Sequence, residues 1–149
     1  MKMQSLRRQK GAEVVEFAIT SALLFLILFA IIEFSVALFD KATLTNAGRE
    51  GARTGILFRP SPRDMASEDT AIRQAIDDYA ADYLISLGGA AAMTTDIQRT
   101  DLSTNGVFDA GDELTVTITY PYQFLILPGF IGTLGGALDL SSTIVMRAE

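Results

Sequence analysis

The apolar positions of the chain form one long N-terminal run, followed by shorter segments with regular spacing. Residues 17–32 are sixteen consecutive uncharged residues, and with Glu33 as the single charge the run continues to Phe39. About 20 residues span the roughly 30 Å hydrocarbon core of a bilayer. The run therefore predicts a transmembrane helix over residues 12–39, with Glu33 at the far membrane interface.

Residues 40–58 contain no proline and predict a continuation of this helix. Small residues recur along the continuation, namely Ala42, Ala47, Gly48, Gly51, Ala52 and Gly55. Because each glycine in a helix interior costs about 1 kcal/mol, such a series is expected where another element packs closely. The sequence favours packing on the chain's own domain and leaves packing on a sister subunit open.

A second helix is predicted after Pro60 and Pro62. Its apolar face has the spacing i, i+3, i+4 and consists of Ile72, Ala75, Ile76, Tyr79, Ala80, Tyr83, Leu84 and Leu87. Ser67 is the predicted N-cap, with acidic residues following it in the first turn. Gly88 and Gly89 are predicted to end the helix, and both tyrosines are expected in the core.

The rest of the chain predicts β-structure. Thr94–Thr100 is one candidate strand, and alternating apolar and threonine residues over 114–120 indicate a second, with Pro121 ending it or placing it at an edge. Residues 124–138 are interpreted as a glycine-rich apolar loop, and residues 141–147 as the last strand. The fold class is therefore α+β: a long helix, then a domain over residues 59–149 with one helix and a small antiparallel sheet.

The charge distribution is strongly uneven. Residues 1–11 carry a charge of +4, so the net charge of −6 leaves −10 on the other 138 residues. Such an acidic body argues against nucleic-acid binding. The basic head predicts a cytoplasmic N-terminus and an extracytoplasmic domain. The absence of cysteine and histidine removes disulfides, the usual nucleophile–base pairs and the common zinc ligands.

The head of the apolar run contains a recognisable pattern. A basic leader precedes Gly11, Glu16 stands at the fifth position after this glycine, and Phe17 follows. This pattern resembles the processing site of type IV prepilins. The resemblance implies that a prepilin peptidase removes the leader, residues 1–11, by cutting between Gly11 and Ala12. The new α-amino group on Ala12 would lie one helical turn from Glu16, which could neutralise it within the subunit or in a neighbour.

Three further segments resemble the TadE-like pseudopilins of the tight-adherence (Flp) pilus. They are Ile31-Ile32-Glu33-Phe34, Leu44-Thr45-Asn46-Ala47 and Arg49-Glu50-Gly51-Ala52-Arg53. The resemblance implies a non-enzymatic minor pilin of the inner membrane that is incorporated in the pilus or helps to assemble it, in adhesion or secretion. It also implies partners: the prepilin peptidase, the major Flp pilin, other pseudopilins, the assembly platform and the lipid bilayer.

Other interpretations of the anchor stay open. The chain could be a single-pass, membrane-anchored binding module unrelated to pili. A secretory signal cleaved after Ala37 is a weaker alternative, since its apolar region would be longer than is typical. A carboxylate-based hydrolase lacks a recognisable pairing of acids.

Residues 101–112 form the one segment that suggests a metal. Oxygen-bearing side chains stand at loop positions 1, 3, 5, 9 and 12, from Asp101 to Asp112, with Gly106 at position 6. This is the EF-hand spacing, with aspartate instead of glutamate at position 12. Candidate strands flank the loop, however, and Asn-Gly is common in ordinary hairpins. A plain hairpin is favoured, no cofactor is predicted, and structural calcium stays an alternative.

Overall fold

The computed structural model describes residues 5–57, 59–60, 62–85, 92–124 and 138–149, with side chains from Gly11 onward. Within these residues the chain forms two helices and one three-stranded antiparallel sheet. The elements in chain order are α1 (Ser5–Ile56), α2 (Met65–Tyr83), β1 (Thr94–Thr100), β2 (Glu113–Tyr122) and β3 (Leu138–Arg147). The predicted α+β fold is thereby confirmed.

Helix α1 changes character at Glu33. From Ala12 to Ile32 its side chains are mostly exposed on all sides, and this part rises about 30 Å, the thickness of a bilayer core. From Glu33 onward one face is buried at intervals of three and four residues, as in a helix packed on a domain. The buried positions include Glu33, Ala37, Asp40, Leu44, Ala47, Gly51 and Gly55.

The glycines in the distal part of α1, namely Gly48, Gly51 and Gly55, face the chain's own domain. A Cβ at Gly51 would lie 2.5 Å from Cγ1 of Ile76, and one at Gly55 would lie 2.5 Å from Cδ2 of Leu114. Only glycine permits this approach, because real Cβ atoms do not come so close to a neighbouring carbon. The stripe of small residues therefore packs on α2 and the sheet, as the sequence favoured.

The bounds of α2 differ from the sequence prediction. Asp64 is the N-cap, and its side chain accepts a hydrogen bond from the backbone N–H of Ser67 at 3.3 Å, so the prediction of Ser67 as the cap was wrong. Aspartate caps a helix as well as serine does, and Asp64 has the required spacing. The helix ends at Tyr83, which is exposed rather than in the core, while Gly88 and Gly89 lie outside the described residues.

The sheet has the strand order β1-β2-β3, so β2 is central. Pro121 lies inside β2, paired with Asp139 of β3, and the prediction that it ends the strand or marks an edge was wrong. The pairing of β1 with β2 stops at Thr94 and Thr119, two residues before this proline. Pro121 is therefore tolerated in a central strand, because no β1 residue needs its missing N–H. Strand β3 begins at Leu138, three residues earlier than predicted, and residues 125–137 lie outside the described part.

One core joins the helices to the sheet. Every second residue of β2 is buried, and these side chains pack against Leu44 and Ala47 of α1 and against Ile72 and Ile76 of α2. The buried residues of β2 are Leu114, Val116, Ile118, Tyr120 and Tyr122. The intervening threonines line the other face of the sheet, which is the pattern of an antiparallel sheet with one solvated face.

Candidate processing and assembly site

The four predicted site residues lie on two successive turns of α1. Gly11, Ala12, Glu16 and Phe17 are all exposed, and Phe17 shows 74% of its surface. Ala12 and Glu16 are four residues apart, so they share one side of the helix about 6 Å apart along its axis. Among the described parts of the chain, a Cβ at Gly11 would meet nothing within 4 Å, which leaves this turn open to a second protein.

Glu16 is a carboxylate in an apolar setting. It lies between Val15 and Phe17 and makes no ion pair with the residues that the structure describes. A charge placed at the head of a membrane-spanning segment is costly unless a partner compensates it. The arrangement can therefore accept a cation, and an amine at position 12 would lie within one turn.

The far end of the apolar segment carries a contact that sequence reasoning missed. Glu33 is only 1% exposed, and the hydroxyl of Tyr122 donates a hydrogen bond to its Oε1 at 2.9 Å. Burial, and then the hydrogen bond to Glu33, raise the pKa of Tyr122 above its ordinary value, so the hydroxyl keeps its proton. Glu33 is thus not simply a residue of the far membrane interface, because the end of β2 covers it.

Aromatic side chains surround this contact. The ring of Phe124 packs edge-on against Phe34 of α1 at 6.1 Å and against Tyr122 at 5.4 Å between ring centroids. Such edge-to-face pairs each contribute about 0.5–1.5 kcal/mol beyond the area they bury. The alternation predicted for this strand stopped at Tyr120, so the sequence indicated neither the burial of Tyr122 nor its contact with Glu33.

Asp40 is a second buried acid, two turns beyond Glu33 on the same face of α1. Its Oδ1 accepts a hydrogen bond from the backbone N–H of Ile85 at 2.9 Å, while its Oδ2 is buried and has no hydrogen-bond partner among the described residues. Burial raises the pKa of Asp40, and the Ile85 N–H partly opposes this rise. The contact ties the residues that follow α2 to α1.

A cluster of charged residues lies around Glu68, at the end of the domain opposite to Glu33 and Tyr122. Glu68 at the start of α2 accepts two hydrogen bonds from Arg63, at 3.0 and 2.8 Å, and lies within 4 Å of Arg59 and Arg99. The hydrogen bonds from Arg63 lower the pKa of Glu68 despite its burial. The guanidinium groups of Arg63 and Arg99 also lie 4.9 and 5.6 Å from the ring centre of Phe108. Through Glu68 the cluster connects the segment before α2 and the end of β1 to the first turn of α2.

The loop of residues 101–112 uses its carboxylates to hold its own backbone. Asp101 accepts hydrogen bonds from the N–H groups of Thr104 and Gly106, and the latter bond is the main cause of its lowered pKa. Asp112 is buried and accepts hydrogen bonds from the N–H groups of Leu102 and Asp109 through its two oxygens. Among the described residues, no group of three or more His, Cys, Asp or Glu side chains is placed to hold a metal ion.

The geometry defines a class of protein: a small α+β domain fixed to the distal part of one long helix, which carries no charge over residues 17–32. That helix is long and apolar enough to fit a single-pass membrane anchor. Residues 11–53 match the family model described as TadE-like protein, and the resemblance seen in the sequence is thereby confirmed. Over this segment the chain is similar to TadE-like proteins.

No curated protein and no solved structure matched the chain. The family match begins at Gly11 and ends at Arg53, so it includes the candidate processing site and the buried face of α1 down to Gly51. It does not extend to α2 or to the sheet. Tyr122, Glu68 and Asp112 therefore lie outside the family match, and their contacts are known only from the structure of this chain.

Proposed function

We propose that this chain is a minor pilin, or pseudopilin, of a tight-adherence pilus. In this proposal the basic leader stays in the cytoplasm, residues 12–32 cross the inner membrane, and the domain lies outside the cytoplasm. A prepilin peptidase cuts after Gly11, and the trimmed helix enters the pilus or its assembly complex. The protein then acts as a structural subunit without enzymatic activity, and its other partners are the major Flp pilin, sister pseudopilins and the assembly platform.

One observation carries the proposal: the family match begins at Gly11, the residue at which the sequence pattern places the cut. The open surroundings of Gly11 support it, because a peptidase has to reach the backbone at this point. A glycine inside a helix also weakens the helix locally by about 1 kcal/mol relative to alanine, which favours the unwinding that cleavage requires.

Glu16 supplies the second support. After cleavage, the α-amino group of Ala12 is a cation one turn from the Glu16 carboxylate. When helices pack in a filament, the carboxylate of one subunit is able to meet the amine of the next. A buried pair of this kind is costly if either partner is missing, so it favours subunits in the correct axial register.

N-terminal sequencing of the membrane form, in cells that contain the Tad machinery, tests the cleavage. The expected first residue is Ala12. A start at Met1 would instead indicate an uncleaved anchor that carries a binding module, and a start at Leu38 would indicate a secreted domain released by signal peptidase.

The assembly role is tested separately with Glu16→Ala. This variant is expected to insert and to be cut like the wild type but to be lost from purified pili. Glu13→Ala, which removes the neighbouring exposed carboxylate, is the matched control and should be incorporated. Normal incorporation of Glu16→Ala would contradict the assigned role of Glu16.

A further inference from the structure

Two oppositely charged surfaces lie on different sides of the domain. The first, here called the arginine face, consists of Arg49 and Arg53, which are exposed on α1. The second, the aspartate face, consists of Asp77, Asp78 and Asp82, which are exposed on α2. Within the described residues none of the five forms a salt bridge, and Arg49 only donates a hydrogen bond to the side chain of Asn46.

The two faces point away from each other. Gly51 contacts Ile76, so this side of α1 faces α2. At about 100° per residue, Arg49 and Arg53 lie about 160° and 200° around α1 from Gly51, on the side turned away from α2. Asp78 and Asp82 lie about 200° and 240° around α2 from Ile76, on the side turned away from α1, and Asp77 lies about 100° around, on the flank of that side. One chain therefore cannot bring its own two faces together.

The faces nevertheless lie at the same height along α1. Ile76 packs on Gly51 near the middle of α2, and the N–H of Ile85 reaches Asp40, so α2 runs antiparallel to α1. Asp77 and Asp78 follow Ile76 directly and are level with the turn that carries Arg49 and Arg53. Two copies anchored in one bilayer by the same apolar segment stand at equal height, which would place one copy's arginine face opposite another's aspartate face.

We propose that a second copy of this chain docks head-to-tail, with the arginine face of one subunit on the aspartate face of the next. The occupant is a second copy because the charges are complementary and their heights agree. Lipid phosphates fit less well, since Arg49 rises about 25 Å beyond Ile32, whereas the headgroup layer adds only about 5–8 Å on each side of the bilayer core. Because the two faces differ, the contact is heterologous, and it extends into rows or helical filaments unless the rotation between subunits closes a ring.

This inference rests on the membrane anchoring in the proposed function and adds a contact between sister subunits to it. The chain has no cysteine, so introduced thiols can be crosslinked without background. The test places Arg53→Cys in one tagged copy and Asp78→Cys in a second copy, produced together in membranes and treated with a short thiol crosslinker. The expected product is a dimer of the two tagged chains, with little dimer from either variant alone. Thr143→Cys, on the outer face of the sheet, replaces Asp78→Cys as the control and should give little product.

Charge reversal tests whether the pairing is electrostatic. Adding Arg49→Glu to the Arg53→Cys copy, or Asp77→Lys to the Asp78→Cys copy, should each lower the crosslink yield by about threefold to tenfold, and combining the two should restore it. Equal yields from all charge variants, a dominant dimer of Arg53→Cys with itself, or equal crosslinking through Thr143→Cys would overturn the proposal.

The outcome is separable from that of the proposed function. The crosslink is measured in membranes and does not require a pilus. If chains that begin at Met1 crosslink, the subunit contact is supported and the proposed pilin function is contradicted. If chains that begin at Ala12 do not crosslink, the pilin function is supported and the subunit contact is contradicted.

Discussion

The hydroxyl of Tyr122 donates a hydrogen bond to the buried carboxylate of Glu33 across 89 positions of sequence, with 2.9 Å between Oη and Oε1. Glu33 is the first buried residue of α1 after its all-apolar segment, and Tyr122 is the last residue of β2. The contact therefore fixes the end of the central strand at the height where the apolar anchor gives way to the domain.

We expect Tyr122→Phe to lower the free energy of unfolding of the domain by about 1–3 kcal/mol, because a buried carboxylate loses a donor while the packing is kept. Thermal unfolding of the full chain in detergent measures the effect. Tyr83→Phe removes the hydroxyl of an exposed tyrosine and should leave the stability unchanged. A double-mutant cycle with Glu33→Gln should show coupling, and strict additivity would mean that the bond contributes nothing.

Asp40 should make stability depend on pH in an unusual direction. Burial raises the pKa of Asp40 in the folded state, so protonation removes an unfavourable buried charge. The contribution of Asp40 to the free energy of unfolding therefore becomes more favourable as pH falls from neutral into the acid range. Asp40→Asn keeps an acceptor for the Ile85 N–H without the charge. It is expected to be at least as stable as the wild type at pH 7, with an advantage that shrinks as pH falls.

Unfolding of wild type and Asp40→Asn over the range from pH 7 to about pH 4 checks this sign. Asp40→Ala serves as the comparison, because it removes the acceptor and should cost about 1–3 kcal/mol at neutral pH. An advantage of Asp40→Asn that grows on acidification would contradict the raised pKa.

Two glycine-to-alanine substitutions in α1 should have opposite consequences. Gly51→Ala is expected to lower stability by about 1–3 kcal/mol, since its Cβ would lie 2.5 Å from Ile76 and overpacking outweighs the gain in helix propensity. Gly11→Ala has open space around the new Cβ, so it should leave stability intact and impair removal of the leader. Melting curves and N-terminal sequencing of the same two variants separate the effects, and a stable Gly51→Ala would show that Ile76 yields easily.

The loop of residues 101–112 is expected to behave as a hairpin. The oxygens of Asp112 already accept backbone N–H groups, so millimolar calcium should not raise the melting temperature of the full chain. Asp112→Ala should nevertheless destabilise the domain by about 1–3 kcal/mol, because it leaves buried N–H groups without acceptors. A calcium-dependent rise in melting temperature that disappears in Asp101→Asn would instead establish a calcium site.

The sequence allowed the elements to be predicted because each has a strong local signal. The period of 3.6 residues identified α2, and strict alternation identified β2. The predictions were wrong where tertiary contacts determine the structure. Pro121, for example, is acceptable in the central strand because the pairing with β1 stops before it. The buried role of Glu33 was missed for the same reason, since its partner is 89 residues away and a carboxylate beside an apolar run is typical of a membrane interface.

The sequence by itself determined the long apolar helix and the one-turn spacing of Ala12 and Glu16, from which the anchor and the cut at Gly11 are predicted, because length, hydropathy and spacing are local properties of a helix. Only the tertiary structure decided which face of that helix carries the domain and where the domain begins. Burial of Glu33 and Asp40 and the close approach at Gly51 depend on elements that meet α1 in space. The same contacts fix the directions in which Arg53 and Asp78 point and their heights along α1. The proposed contact between two subunits could therefore be inferred only from the tertiary structure.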